Sequence, residues 1–314
     1  IAPFVVAVCL LLAVSIIYCC TTSGSDGGKI ENITSHVRSQ ASEKFEAVKS
    51  SQVGSYIRQT VAYCQILGEL GPTLNVKFPG NFSRLVSWMS IFSLNLFGSF
   101  GCMMRLNHYD KLFFFTLTPI IIEVMMLGVY FALRKSPKYQ SLRNKIINAI
   151  LFGNFLILPS VSMIIFGTFN CKTFEDLGTF LKDDLSLSCE DGEHYFMRKY
   201  ALVMTLVYPV GITAVNHFML WRVKEKLNPP LDAEVVREAS IISPEDRLVL
   251  TLRKRNSFKE ILYLAFLFDT YKPDCWWFET FESIRRIALS GGLVFFESGS
   301  PLQCIVGLLI TVIS

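Results

Sequence analysis

The segment between Phe266 and Phe296 constrains the fold of this chain most, because aromatic, charged and apolar stretches follow one another within it. The aromatic and charged residues are Tyr271, Pro273, Trp276, Trp277 and Phe278, followed by Glu279, Glu282, Arg285 and Arg286. Tryptophan and tyrosine favour the membrane–water boundary, where the ring is half-buried and its polar group stays hydrated. The segment therefore indicates a chain that enters a bilayer from an ordered cytoplasmic face.

The composition also favours a membrane protein. Hydrophobic residues make up 51% of the chain and charged residues 18%, against roughly 25% charged residues in a soluble domain. The mean hydropathy is +0.41. The net charge of +4 comes from basic residues in loops, so its sign bears on topology and predicts no nucleic-acid partner. The expected partner is the lipid bilayer.

Apolar runs along the chain predict an all-α, polytopic helix bundle with about six to seven spans of about 20 residues each. The candidate spans are Ile1–Tyr18, Leu85–Cys102, Leu112–Leu133, Ile146–Thr168, Tyr200–Trp221, Ile284–Phe296 extended from Trp276, and a run from Leu302. Because the chain begins and ends inside apolar runs, we expect a fragment of a longer protein. A signal peptide is the alternative for the first run, but a basic region before it is lacking.

Basic residues orient these spans. The loop from Arg134 to Lys145 is basic and contains no acid, and a second connection begins at Arg222 and ends near Lys259. Both loops are predicted to be cytoplasmic, since lysine and arginine concentrate on that side. The acidic segment 170–199 is then extracellular, and the sequons at Asn32 and Asn81 are cytoplasmic and unglycosylated. We expect the protein in the plasma membrane or another membrane of the secretory pathway.

The cysteines fit this topology. Cys171 and Cys189 lie in the predicted outer loop, where disulfides persist. We predict a bridge between them, although Cys102 is an alternative partner and two free thiols are the other possibility. The cysteines form no CxxC pair and have no histidine at metal-ligand spacing. No metal or other cofactor is therefore expected.

We divide the chain into a first span (1–20), a cytoplasmic linker with amphipathic helices (21–83) and a multi-span membrane domain (84–314). The last of these contains the extracellular loop 170–199 and a cytoplasmic connection, 223–275.

Within the cytoplasmic parts, the spacing of apolar residues predicts helices over Ile30–Ser51 and Tyr56–Leu70. The polar residues Arg58, Gln65 and Glu69 make the second helix a poor span. We place it at the interface or under the bundle, with a re-entrant element as the alternative. Ser243 is predicted to cap a helix with Pro244 at its first position, and that helix is predicted to continue over Leu248–Phe268.

No catalytic motif of the Walker, GxSxG or HExxH type occurs, so the sequence predicts no enzyme. Polar residues inside spans are the functional candidates in a membrane. Glu123, in the middle of a span, is a candidate permeation or gating residue, together with Asn154 and Asn216. The alternative is a structural pair between Glu123 and a polar neighbour, for which the candidates are Asn95, Asn154, Asn216 and His217.

Pro159, Pro209 and Gly211 are candidate hinges, because proline frees backbone carbonyls at membrane depth. A simple packing kink is the alternative. In the charged segment, Glu282 and Arg286 are spaced for an i,i+4 pair, with the other charges at headgroup level. The alternative is an interfacial coupling element, formed by Trp276, Trp277, Glu279, Glu282, Arg285 and Arg286.

Four motifs occur in a characteristic order. They are Pro159-Ser160 followed by Phe169-Asn170-Cys171, then Leu181, Asp184 and Cys189, then Val207-Tyr208-Pro209 with Gly211, and last Tyr271, Pro273, Trp276, Glu279, Glu282, Arg285 and Arg286. In this order they resemble the C-terminal transient-receptor-potential-like (TRP-like) membrane module of large surface proteins of protists and algae.

The resemblance covers about Tyr56–Ser314 and implies a channel-like protein that is cation-permeable or sensory. The alternatives are a structural membrane anchor or subunit of a large extracellular or multi-protein assembly and, with less support, a transporter or scramblase. Other membrane or extracellular chains, or copies of this chain, are the expected protein partners.

Overall fold

The computed structural model describes residues 56–69, 79–89, 107–230, 244–297 and 299–313, and these residues are mostly helical. Several predicted features lie outside the described residues. They are the first span, the helix Ile30–Ser51, the sequon asparagine Asn32, and the residues Asn95, Cys102 and Ser243.

Four helices lie in the first half of the described chain. The predicted helix over Tyr56–Leu70 is confirmed as α1, residues 56–69. Helix α2 is Gly80–Met89, α3 is His108–Ala132, and a short 3₁₀ turn, Pro137–Tyr139, leads into α4, Gln140–Gly167. The candidate span Leu85–Cys102 begins within α2 and continues outside the described residues.

The third long helical segment runs from Gly192 to Arg222 and is interrupted once. Helix α5, Gly192–Thr205, passes into a π-helical turn, Leu206–Ile212, and continues as α6, Thr213–Arg222. The wide turn contains Pro209, which has no N–H to donate to a regular α-helical ladder. A short helix, α7 (Lys224–Leu227), follows.

Within the part of the chain that the structure describes, three helices are long and apolar enough to cross a membrane: His108–Ala132, Gln140–Gly167 and Gly192–Arg222. Of their most apolar windows, 78% is buried in α4 but only 17% in α3 and 28% in the third segment. The exposed apolar surface of α3 and of the segment Gly192–Arg222 suits contact with lipid. The count of six to seven spans stays a prediction.

The described residues are mostly helical, as the all-α prediction expects, but the loop 170–199 contains a small sheet that was not predicted. Strands β1 (Cys171–Phe174), β2 (Gly178–Leu181) and β3 (Asp184–Ser188) form an antiparallel sheet in that order. Gly178 has a φ of 94°, which permits the tight turn between β1 and β2. Threonine and phenylalanine in these stretches favour strands, and the spanning helix begins at Gly192 rather than at Tyr200.

The C-terminal part contains short helical elements. Helix α8, Pro244–Ser257, begins at Pro244 as predicted, and a 3₁₀ turn (Lys259–Leu264) and α9 (Ala265–Phe268) follow. The prediction of one continuous helix over Leu248–Phe268 is wrong. Arg255 donates a 3.0 Å hydrogen bond to the carbonyl of Tyr271, so the chain after α8 folds back over this side chain.

The remaining described elements lie between Pro273 and Ile313. After a 3₁₀ turn at Pro273–Cys275 comes α10, Phe278–Ser290, and another 3₁₀ turn, Gly292–Phe295. The last helix, α11, is Pro301–Ile313. The predicted span Ile284–Phe296 is thus only partly helical in the α form, and α11 is apolar but short.

Two compact units divide the described chain. One contains residues 56–60, 130–153, 219–230 and 244–278, and the other contains 61–69, 79–89, 107–129, 154–218, 279–297 and 299–313.

The core of the second unit is formed by α3, α4 and α5. Leu112, Leu158, Val161, Ile165 and Ala201 pack together there. Hydrogen bonds reinforce this packing, since the Tyr208 hydroxyl donates to the Thr116 carbonyl at 2.5 Å. Van der Waals packing and such bonds are the main forces between helices in a bilayer.

Candidate functional site: a polar network at the Pro159 bend

Pro159 lies inside α4 and removes one rung of its hydrogen-bond ladder, a defect at which helices commonly bend. The stretch of α4 over residues 155–160 is therefore named the Pro159 bend. The carbonyl of Phe155, four residues before Pro159, lacks its usual backbone donor. Arg286 of α10 supplies one, since its Nη1 donates to the Phe155 oxygen at 2.9 Å. The guanidinium carbon also lies 3.9 Å from the centre of the Phe155 ring. A buried carbonyl needs such a partner at membrane depth.

Two further side chains bind the same bend. Nε2 of Gln65 on α1 donates to the Leu156 carbonyl at 2.7 Å. The hydroxyl of Ser290 on α10 lies 3.5 Å from the Pro159 carbonyl and donates to the Arg286 carbonyl at 2.8 Å. Gln65 and Ser290 are both buried. Helices α1 and α10 thus both hold the bent part of α4.

The charge of Arg286 is balanced on its own helix. Its Nη2 lies 3.9 Å from Oε1 of Glu279, and both side chains are almost fully buried. The predicted i,i+4 pair between Glu282 and Arg286 is wrong, because Glu282 pairs with Arg285 instead. The prediction failed because Arg286 binds the freed carbonyl of Phe155 and the buried Glu279 instead.

Glu69 on α1 completes the network, although the sequence predicts no role for this residue. Its Oε1 accepts a 2.9 Å hydrogen bond from the Ser160 hydroxyl. Ser290 lies close enough to interact with the carboxyl, but Oε2 is buried without a partner at hydrogen-bond distance among the described residues. The available signal was its i,i+4 spacing from Gln65, which places both polar groups on one face of α1.

Glu123 and Asn154 are brought together. The Glu123 carboxyl on α3 is half-buried and lies close enough to interact with the side chain of Asn154 on α4. Asn216 is buried on α6 and takes no part in this interaction. His217 instead bonds Thr280, with Nδ1 3.1 Å from the hydroxyl oxygen. Among the candidate partners that the structure describes, Asn154 is therefore the one beside Glu123.

The candidate hinge at Pro209 coincides with the π-helical turn. Gly211 belongs to this turn, and a Cβ there would lie 2.8 Å from the Leu206 carbonyl oxygen. Only glycine fits so close to the backbone. π-helical turns are frequent at functional sites, so this turn is a place where the helix can change its course.

In the first unit, Arg58 and Arg255 bind backbone carbonyls and aromatic rings of the segment 266–271, which precedes α10 in the sequence. Nη1 of Arg58 donates to the Phe266 carbonyl at 2.6 Å, and its guanidinium carbon lies 4.6 Å from that ring. Arg255 bonds the Tyr271 carbonyl and covers the Phe268 ring at 4.9 Å. The sequence predicts neither of these contacts, because the acceptors are backbone carbonyls that no side-chain pattern reveals.

The predicted interfacial coupling residues are divided between the units. Trp276 and Trp277 belong to the first unit, and Glu279, Glu282, Arg285 and Arg286 to the second. Trp277 is 44% exposed, which suits a ring at a membrane boundary.

The outer sheet carries the predicted Cys171–Cys189 disulfide, which is present. His194 packs against it, with Nε2 3.5 Å from the Cys171 sulfur and Nδ1 2.8 Å from the Tyr109 hydroxyl. Because the sulfurs are bonded to each other, they offer no thiolate to a metal. The two cysteines and His194 therefore form a structural cluster.

The chain was compared with protein-family models, with curated proteins and with solved structures, and nothing matched in any of the three comparisons.

Proposed function

We propose that this chain is a channel-like, cation-permeable membrane domain of the TRP-like type and that Glu123 and Asn154 contribute to its permeation path. The observation that carries the proposal is that these two polar side chains interact across two helices that are each long and apolar enough to cross a membrane. An acidic side chain at membrane depth is costly and generally marks an ion path or its gate. Asn216 is proposed as a further polar residue beside that path.

The proposal also assigns roles to the bends in the helices. The π-helical turn at Pro209 and the Pro159 bend are points where a spanning helix can tilt without breaking its whole ladder. We assign gating motion to the Pro209 turn in particular, because Pro159 is held by Arg286 and Gln65.

Water access to Glu123 tests the proposal. The full chain carrying Glu123→Cys is reconstituted in vesicles and treated with a membrane-impermeant cationic thiol reagent. We expect the new thiol to react and the cation flux to fall. The unsubstituted chain, treated in the same way, controls for Cys64, Cys275 and Cys304, which are free. If Cys at position 123 stays unmodified and the flux is unchanged, Glu123 does not line the path.

A structural anchor is the second candidate, and the network at the Pro159 bend favours it. Arg286, Glu279 and Gln65 are buried and bonded to protein groups, as expected in a tightly packed bundle without a water path. The anchor predicts no cation flux under any voltage, calcium concentration or membrane tension. Lipid transfer between leaflets, in the absence of ion flux, would instead indicate a scramblase.

A further inference from the structure

The carboxyl of Glu69 occupies a position in which an ionised form is poorly accommodated. The residue is 1% exposed, and Ser160 donates to its Oε1. Its other oxygen, Oε2, is buried without a partner at hydrogen-bond distance among the described residues. A buried carboxylate oxygen without a donor is costly. A protonated carboxyl instead presents an O–H group, and the Ser290 oxygen beside it is an available acceptor.

Counting the surrounding charges leads to the same conclusion. From α10, Arg286 is the cation whose charge acts on Glu69, and Glu279 already lies 3.9 Å from that guanidinium. From α4, the neighbour is the uncharged Ser160. Arg286 and Glu279 together are neutral, so an ionised Glu69 would leave one uncompensated negative charge in the buried cluster. Two acids that share one cation do not ionise equally easily.

We propose that Glu69 is a proton-binding site within the helix bundle and that its proton occupancy is coupled to the Pro159 bend. With the proton bound, Arg286 is shared between Glu279 and the Phe155 carbonyl. When the proton leaves, the new carboxylate competes for Arg286 and weakens its hold on Phe155. This inference does not depend on whether the chain conducts ions.

The titration falls in an accessible range. Burial raises the pKa of Glu69 to about 8, although the side-chain interactions with Ser160 and Ser290 and the charge of Arg286 act in the opposite direction. Helix α1, which carries this carboxyl, is not among the described helices that are long and apolar enough to cross a membrane. Both protonation forms are therefore populated close to neutral pH.

Infrared difference spectroscopy of the full chain in vesicles tests the proposal directly, by following the C=O stretch of a protonated carboxyl from about pH 6 to about pH 10. As the pH rises, the unsubstituted chain is expected to lose one more such band than the Glu69→Gln variant. Glu69→Gln should lack that additional band. The matched control Glu279→Gln should keep the band but titrate at lower pH, because Arg286 is then left to stabilise the Glu69 carboxylate.

The proposal is overturned if no carboxyl band titrates in this range, or if Glu69→Gln keeps the band at the same midpoint. Circular dichroism and size measurements establish that each variant is folded. If Glu69→Gln fails to fold, Glu69→Asp replaces it, since it keeps a titrating carboxyl in an altered position. A midpoint and band frequency identical to those of the unsubstituted chain would then contradict the assignment.

Discussion

Arg286 donates a 2.9 Å hydrogen bond to the carbonyl of Phe155, the group that Pro159 deprives of its helical donor. The two residues are 131 positions apart in the sequence. The bend in α4 and the buried charge on α10 are therefore parts of one arrangement. Removing Arg286 should leave the Phe155 carbonyl without a donor. Restoring an N–H at position 159 should make Arg286 less necessary.

Replacing Arg286 by Met should destabilise the protein strongly. The change removes the donor to Phe155 and leaves Glu279 buried without its cation, and breaking one partner of a buried pair costs about 3–5 kcal/mol. Reversible unfolding in mixed detergents measures the free energy. Arg285→Met is the matched control, because Arg285 pairs with Glu282 outside this network. Equal losses for the two variants would contradict the assigned role.

Replacing Pro159 by Ala should make the Arg286 substitution less harmful. The new N–H can donate to the Phe155 carbonyl, which then no longer depends on Arg286. A double-mutant cycle with Arg286→Met should give a coupling free energy of about 1 kcal/mol or more. Additive effects would show that the bend and the arginine are independent.

These two residues also show what the sequence can and cannot reveal. The apolar runs predicted α3 and α4, because their length and composition suffice for a span. The disulfide was predicted because its two cysteines lie in a loop expected to face an oxidising compartment. The partner of Arg286 could not be predicted, because a freed backbone carbonyl has no sequence signature. The i,i+4 rule pointed to Glu282 and ignored the packing of α10 against α4.

The outer sheet and Glu69 were missed for different reasons. Strands β1 to β3 are short and lie among acidic residues, which are typical of loops. Glu69 was read only as a residue that made α1 too polar to span a membrane. Its role depends on Ser160, a contact between segments 91 positions apart.

Removing the disulfide should loosen the outer sheet. Cys171 and Cys189 are 18 positions apart and clamp β1 to the end of β3, and bridges of this kind contribute about 2–4 kcal/mol. Cys171→Ser combined with Cys189→Ser should lower the unfolding free energy by this amount and increase amide exchange in residues 171–188. Cys304→Ser, at an exposed free cysteine, is the control. Unchanged exchange would show that the bridge does not support the sheet.

Asp184 should make the stability of the outer sheet dependent on acid pH. Although burial raises the pKa of this carboxyl, hydrogen bonds from Ser186 and the His108 backbone outweigh it, so the pKa lies below the usual 3.8. The stabilisation is therefore present above the usual value and is lost as the pH falls through the folded pKa. The stability difference between the unsubstituted chain and Asp184→Asn should shrink at acid pH.

The matched control for this titration is Asp176→Asn, at an exposed acid in the turn between β1 and β2. Chemical unfolding at a series of pH values measures both differences. A difference for Asp184→Asn that stays constant down to the lowest pH would contradict the assigned hydrogen bonds.

The reversal potential of the reconstituted full chain in a planar bilayer, under a salt gradient, tests the central claim most directly. A cation-permeable path past Glu123 and Asn154 predicts cation-selective currents whose selectivity falls in Glu123→Gln but not in Glu175→Gln, at an exposed acid of the outer turn. Currents with the same reversal potential in all three proteins, or silence under voltage, calcium and membrane tension, would contradict the claim and favour the anchor.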